Sequence, residues 1–70
     1  MVEDVRHRVE RKLAFLGRPR FLGFADRPWP MLPWEGRLVR LSEETRVDGW
    51  SVWYRVLGRE EVLYALEPRV

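Results

Sequence analysis

The chain has 70 residues, no cysteine, a single histidine (His7) and a net charge of +2. A chain of this length forms one small domain, here taken as residues 1–70, whose core is marginal. The missing cysteines exclude disulfides, thiolate zinc sites and cysteine nucleophiles, and the mild charge does not by itself indicate a nucleic-acid tail or a membrane-binding patch.

The cationic residues are twelve arginines and one lysine, a bias that suits bidentate pairing with carboxylates or phosphates and that a GC-rich genome also produces. Asparagine, glutamine and cysteine are absent, which is typical of proteins kept at high temperature. No run of 18 apolar residues is present, so we expect no membrane-spanning segment. The N-terminus is charged from Glu3 onward and lacks a signal-peptide core, which favours a cytoplasmic location.

Residues 2–16 carry an amphipathic helical pattern. Acidic Glu3 and Asp4 fall in the first turn, where the helix dipole favours negative charge, and Gly17 with Pro19 supplies a stop signal. The sequence therefore predicts a helix over 2–16. Its apolar residues recur at steps of three and four: Val2, Val5, Val9, Leu13 and Leu16.

Residues 18–35 form a connector with four prolines. Proline argues against a regular helix or a central strand, and the many large apolar residues argue against a disordered linker. We expect an extended, polyproline-like strap whose aromatic rings pack over the core or over a neighbouring molecule. The aromatic interface candidates in this strap are Phe21, Phe24, Trp29 and Trp34.

Residues 37–67 predict a three-stranded antiparallel meander. Asp48-Gly49 is a strong two-residue hairpin signal, and a second turn is expected at residues 58–60. These turns place Leu41, Val47, Trp50, Val52, Tyr54 and Val56 on one apolar face, with Glu43 as the misfit. The opposite, polar face receives Arg40, Ser42, Glu44, Arg46, Ser51, Trp53 and Arg55.

The predicted fold class is α+β, with one N-terminal amphipathic helix packed on the three-stranded meander. The apolar stripe of the helix is the natural cover for the apolar sheet face, since both must be buried. An SH3-like partial barrel built from the same strands is the alternative, because long strands in so small a chain can curl.

Catalytic chemistry has few candidates in this sequence. A nucleophilic triad needs a nucleophile, a base and an orienting group within hydrogen-bond reach, and His7 lies on a helix far from Ser42, Ser51 and Thr45. No glycine-rich phosphate loop or metal-ligand cluster is present. We therefore expect a protein that is not an enzyme, with no cofactor and no metal.

The polar sheet face is the candidate binding site. Trp53 is expected there among Arg40, Arg46 and Arg55. An aromatic ring flanked by arginines can stack a nucleic-acid base while the guanidinium groups hold phosphates. Alternating arginine and glutamate across strands is equally typical of a solvated face.

The segment from Gly49 to Arg69 contains a sequence pattern formed by Val52, Tyr54, Arg55, Val56, Glu61, Val62, Leu63 and Arg69. It resembles the C-terminal hairpin of the RelE/ParE-type toxins. The resemblance implies a ribosome-dependent ribonuclease or a gyrase poison, with Arg55, Arg69 and Tyr64 as functional groups.

The leading functional hypothesis is a small non-catalytic interaction module. A marginal core and a surplus of large aromatic residues favour burial against a second surface, either a second copy of the chain or a larger protein. A small RNA- or DNA-binding domain is the first alternative, and a toxin-like ribonuclease is the second.

Overall fold

The computed structural model describes residues 1–26 and 29–69, which form a small α+β domain with an N-terminal helix. Four strands make a mixed sheet in the order β1-β6-β5-β4, where β1 runs parallel to β6, and two further strands make a separate antiparallel hairpin. The elements are α1 (Val2–Leu13), β1 (Arg18–Phe24), β2 (Met31–Trp34), β3 (Arg37–Arg40), β4 (Glu43–Val47), β5 (Trp50–Leu57) and β6 (Glu61–Pro68).

The predicted registers of β4, β5 and β6 are confirmed. Val47 pairs with Trp50 across the first turn, and Tyr54 pairs with Tyr64 across the second. Asp48 and Gly49 both have positive φ, at 49° and 82°, as the tight turns that match strand twist require. The local turn chemistry therefore fixed the alignment of these three strands.

Helix α1 covers the face of the sheet that the pattern predicted to be apolar. Val5, Val9 and Leu13 are buried with a cluster contributed by β5 and β6, and Leu16 packs against it, which confirms the helical stripe except at Val2, which is exposed. The helix ends at Leu13 rather than at residue 16. Beyond it the chain turns at Gly17, where an added Cβ would lie 2.4 Å from the carbonyl oxygen of Glu60. Glycine is needed there because the two backbones touch.

The opposite face, which the pattern predicted to be polar and a candidate binding site, is partly covered. The β2–β3 hairpin packs over Trp53 and its neighbours there and builds a second apolar cluster, while Glu44, Arg46 and Arg55 of the same face are exposed. The buried members of this cluster are Ala25, Val39, Leu41, Trp53, Leu63 and Ala65.

The predicted meander began too early, at residue 37. Residues 37–40 belong to β3 of the hairpin, and the chain crosses to the main sheet between Leu41 and β4. The amide of Leu41 donates to the carbonyl oxygen of Pro30, which extends the hairpin. Leu41 therefore lies in the hairpin-side cluster and not on the helix side, where unbroken alternation had put it.

The predicted strap, residues 18–35, is extended but contains two strands, β1 and β2. Pro19 is compatible with β1 because β1 is at the edge of its sheet, where proline is tolerated. The main sheet has two edges, β1 and β4, and includes the parallel pair of β1 with β6, so in the described residues it is an open mixed sheet of four strands rather than a partial barrel of the three meander strands. Arg27 and Pro28 of the strap lie outside the described residues.

Candidate functional site

Trp53, the aromatic centre of the predicted binding face, is buried in the hairpin-side cluster with 4% of its surface exposed. Its indole Nε1 donates a hydrogen bond of 2.9 Å to Oε1 of Glu67. With no ring face exposed, Trp53 cannot stack a base without moving the hairpin. Its position fits a core role.

Arg46, another predicted site residue, lies toward the Asp48-Gly49 end of the same face. Its Nε is 3.8 Å from Oε2 of Glu44. Glu44 also accepts a hydrogen bond of 2.5 Å from the buried hydroxyl of Ser51, which in turn accepts one of 2.9 Å from Nε of Arg69. These contacts satisfy the polar groups among themselves, as a structural network does.

Arg40 and Arg55 come together beside the hairpin. Nη1 of Arg55 is 3.5 Å from the carbonyl oxygen of Arg40, and Arg37 lies nearby on β3. Among the described residues, none of these three arginines forms an ion pair with a carboxylate, unlike Arg6, Arg8, Arg20, Arg46 and Arg69.

A cleft of about 540 Å³ opens between the hairpin and β5. Arg37 and Arg55 contribute its cationic groups, and Glu35 is the carboxylate on its rim. We call it the arginine cleft; it is lined by Trp34, Glu35, Arg37, Leu38, Val39, Arg55 and Leu57.

The hairpin has a second surface that faces away from the sheet. Leu32 pairs with the buried Val39, so the side chains that alternate with them point outward. Two cross-strand pairs, Met31 with Arg40 and Pro33 with Leu38, carry those outward side chains. We call this surface the outer hairpin face; it consists of Trp29, Met31, Pro33, Leu38 and Arg40.

The outer hairpin face is exposed and largely apolar. Trp29, Met31 and Leu38 expose 57%, 48% and 64% of their surface. The guanidinium carbon of Arg40 lies 4.9 Å from the centre of a Trp29 ring, within the range of a cation–π contact. Cross-strand neighbours stand about 5 Å apart, so the exposed side chains on β2 and β3 are contiguous.

The four aromatic interface candidates separate onto two sides of the molecule. Phe21 and Phe24 form an edge-to-face pair with centroids 5.6 Å apart on the helix side, where Phe21 also contacts Tyr64. Trp34 packs against the hairpin-side cluster, with the guanidinium carbon of Arg20 5.1 Å from a ring centre. Trp29 alone of the four belongs to the outer hairpin face.

Sequence reasoning missed the hairpin and with it Met31, Leu38 and Arg37. The available signal was Glu35-Gly36, a two-residue turn with φ of 50° and 81°, which resembles Asp48-Gly49 in geometry. Glycine at the second turn position between two short apolar runs is a hairpin pattern. The four prolines of the strap concealed it.

The residues of the toxin-like resemblance do not converge on one site. Tyr64 is buried on the helix side, where its hydroxyl donates to Oε2 of Glu10 and accepts from Nε of Arg6 at 3.3 Å. Burial, with the hydrogen bond to Glu10, raises the pKa of Tyr64 above its ordinary value of 10.0. Arg55 lines the arginine cleft and Arg69 bonds Ser51, so the toxin-like activity stays a prediction.

Within residues 1–26 and 29–69, no group of three or more histidine, aspartate or glutamate side chains is arranged to hold a metal ion. No helix in this part of the chain combines the length and apolar character needed to cross a bilayer. The chain matches no protein-family model, no curated protein and no solved structure.

Proposed function

We propose that this protein is a non-catalytic binding module that docks on a larger protein through the outer hairpin face. The observation that supports this most is the exposure of Trp29, Met31 and Leu38 on one face of a hairpin whose other face is already used in the core. Contiguous exposed apolar surface in a soluble domain marks a contact site more often than chance exposure does.

The composition of this face favours a protein partner. Aromatic residues, methionine and arginine are enriched where proteins bind one another, whereas lysine, glutamate, aspartate, serine and alanine are depleted. The outer hairpin face has tryptophan, methionine and arginine and none of the depleted types. A nucleic-acid partner would favour a strongly basic stripe, and the net charge of this chain is only +2.

Charge also selects between a second copy and a different partner. Arg40 lies on the outer hairpin face, Arg37 and Arg55 line the adjacent arginine cleft, and none of the three has a carboxylate partner among the described residues. Two copies that met through this face would bring like charges together, and such juxtaposition is unfavourable. The partner that fits presents an apolar centre with carboxylates around it.

The test compares two exposed residues on different surfaces. Leu38→Glu places a negative charge on the outer hairpin face, and Phe15→Glu does the same at a side chain that is 81% exposed next to the helix end. Each variant serves as affinity bait in lysate of cells that express the protein natively, after nuclease treatment, and captured proteins are quantified by mass spectrometry. The purified partner is then titrated into isotope-labelled protein to map amide shifts.

We expect one protein that wild type and Phe15→Glu retain equally and that Leu38→Glu loses by on the order of tenfold or more, as for a central interface residue. The amide shifts should concentrate on β2 and β3. Equal retention by Leu38→Glu would contradict the proposal. So would retention that nuclease treatment abolishes, which indicates nucleic acid, or a dimer in sedimentation that Leu38→Glu dissociates.

A further inference from the structure

The arginine cleft shares only Leu38 with the outer hairpin face, and its chemistry is different. Arg37 approaches from β3 and Arg55 from β5, so two guanidinium groups on separate elements border one cavity. Neither has an ion-pair partner in the part of the chain that the structure describes. Five of the other nine described arginines are paired with carboxylates.

Apart from Glu35, the remaining side chains that line the cleft are apolar, although polar atoms make up most of its exposed surface. Val39 is buried in the hairpin-side cluster, while Leu57 and Trp34 pack against that cluster and leave part of their surface in the cleft. A volume of about 540 Å³ is within the range of sites that bind small organic molecules. Such sites typically combine an apolar lining with a few polar groups that fix orientation.

We propose that the arginine cleft binds a small organic phosphate monoester, with the phosphate between Arg37 and Arg55 and the organic body against Leu57 and Trp34. The planar guanidinium group matches phosphate oxygens with two parallel hydrogen bonds. A phosphate monoester carries about −1.5 to −2 charges at pH 7, which matches two guanidinium groups, whereas a carboxylate matches one.

Charge around the cleft is consistent with a dianion. Glu35 is the acidic side chain that lines it, and it lies in the exposed β2–β3 turn, at the rim. Arg20 adds a third guanidinium near Trp34, although Nη1 of Arg20 is held 3.1 Å from Oε2 of Glu61. The local balance is therefore positive where the phosphate is expected.

Phenyl phosphate, inorganic phosphate and benzoate are the probes, titrated separately into isotope-labelled protein and followed by amide shifts. We expect phenyl phosphate to bind with a dissociation constant on the order of 1 mM, as a ligand of this size permits. Inorganic phosphate and benzoate should bind more weakly, because each lacks either the organic body or the second negative charge.

Arg37→Gln and Arg55→Gln remove the two guanidinium groups, and Arg46→Gln is the matched control because Arg46 pairs with Glu44 at the other end of the sheet. Each cleft variant should weaken phenyl phosphate binding about tenfold or more, the range for charge-assisted hydrogen bonds, and Arg46→Gln should not. Arg37→Lys, which keeps the charge but loses the paired donors, should be intermediate.

No saturable shift with phenyl phosphate, or equal weakening by Arg46→Gln, would overturn the proposal. Binding of benzoate as tight as phenyl phosphate would overturn the assignment to a phosphate. These measurements use small anions alone, so their outcome is independent of whether the outer hairpin face docks a protein.

Discussion

A helix covers one face of the four-stranded sheet and a two-stranded hairpin covers the other, and these two sides differ in how their cores are built. The helix side is closed by Val5, Val9 and Leu13 on aliphatic and aromatic residues of the sheet. The hairpin side buries Trp53 together with polar Ser51 and Glu67. The apolar pattern was enough to predict the first side, whose buried polar group is the hydroxyl of Tyr64, while the second side buries more polar groups, joined by hydrogen bonds.

This difference has a consequence for function. The helix uses its narrow apolar stripe in the core and otherwise presents charged residues to solvent. The hairpin is apolar on both faces, so covering the sheet with one face leaves the other exposed. The side of the molecule that is harder to predict is therefore the side that carries both proposed binding surfaces.

The largest effects are expected from a matched pair of leucines on β6. Leu66 is fully buried on the helix side and Leu63 is fully buried on the hairpin side. Each Leu→Ala change should lower the free energy of unfolding by about 2–5 kcal/mol, through lost transfer energy and the cavity left behind. Urea denaturation measures the loss of unfolding free energy at both positions, and Leu→Val at the same positions should cause a smaller loss.

Similar costs at the two positions mean that the hairpin is as well packed as the helix. A cost for Leu63→Ala of less than about 1 kcal/mol, the typical effect of an average substitution, would mean that the hairpin is only loosely docked. That result would undermine the two-sided core.

A smaller effect is expected from the polar contact of the hairpin side. Trp53→Phe removes the Nε1 donor, so Oε1 of the buried Glu67 loses this hydrogen bond. The free energy of unfolding should therefore fall by about 1–3 kcal/mol. A double-mutant cycle with Glu67→Leu isolates the hydrogen bond. If the losses of unfolding free energy in the two single mutants sum to that of the double mutant within about 0.5 kcal/mol, the hydrogen bond does not contribute to stability.

The smallest effect is expected from the polar contact of the helix side. Tyr64→Phe removes the hydroxyl that joins Glu10 and Arg6 of the helix to β6, at a cost of about 1 kcal/mol near neutral pH. Tyr54→Phe is the matched control, since Tyr54 makes no such contact with the helix among the described residues.

The same variant has a pH dependence with a defined sign. The pKa of Tyr64 is raised in the folded protein above 10.0, so the unfolded chain loses the phenol proton first as the pH rises. The contribution of Tyr64 to the free energy of unfolding is therefore fully present below about pH 10 and is lost as the pH rises above it. The difference between wild type and Tyr64→Phe should narrow above pH 10; a constant difference would contradict the raised pKa.

The candidate site was predictable only in part. Arg40, Arg55 and Trp29 were selected from the sequence and lie at the two surfaces described. Trp53 and Arg46 were grouped with the two arginines because the predicted strands put all four residues on one face. Strand alternation reports which side of a sheet a residue faces. It does not report whether another element covers that side, because covering depends on how the hairpin packs on the sheet.

By itself, the sequence determined the N-terminal helix and the alignment of β4, β5 and β6, because helical spacing and two-residue turns act over a few neighbouring residues. Only the tertiary structure decided that β1 adds in parallel to β6, that the β2–β3 hairpin packs over the sheet, and that Leu41 and Trp53 are buried beneath it. Those outcomes depend on how whole elements pack together. Burial of apolar surface and the hydrogen bonds of Glu67 and Ser51 outweigh the local preference of a proline-rich segment for irregular structure.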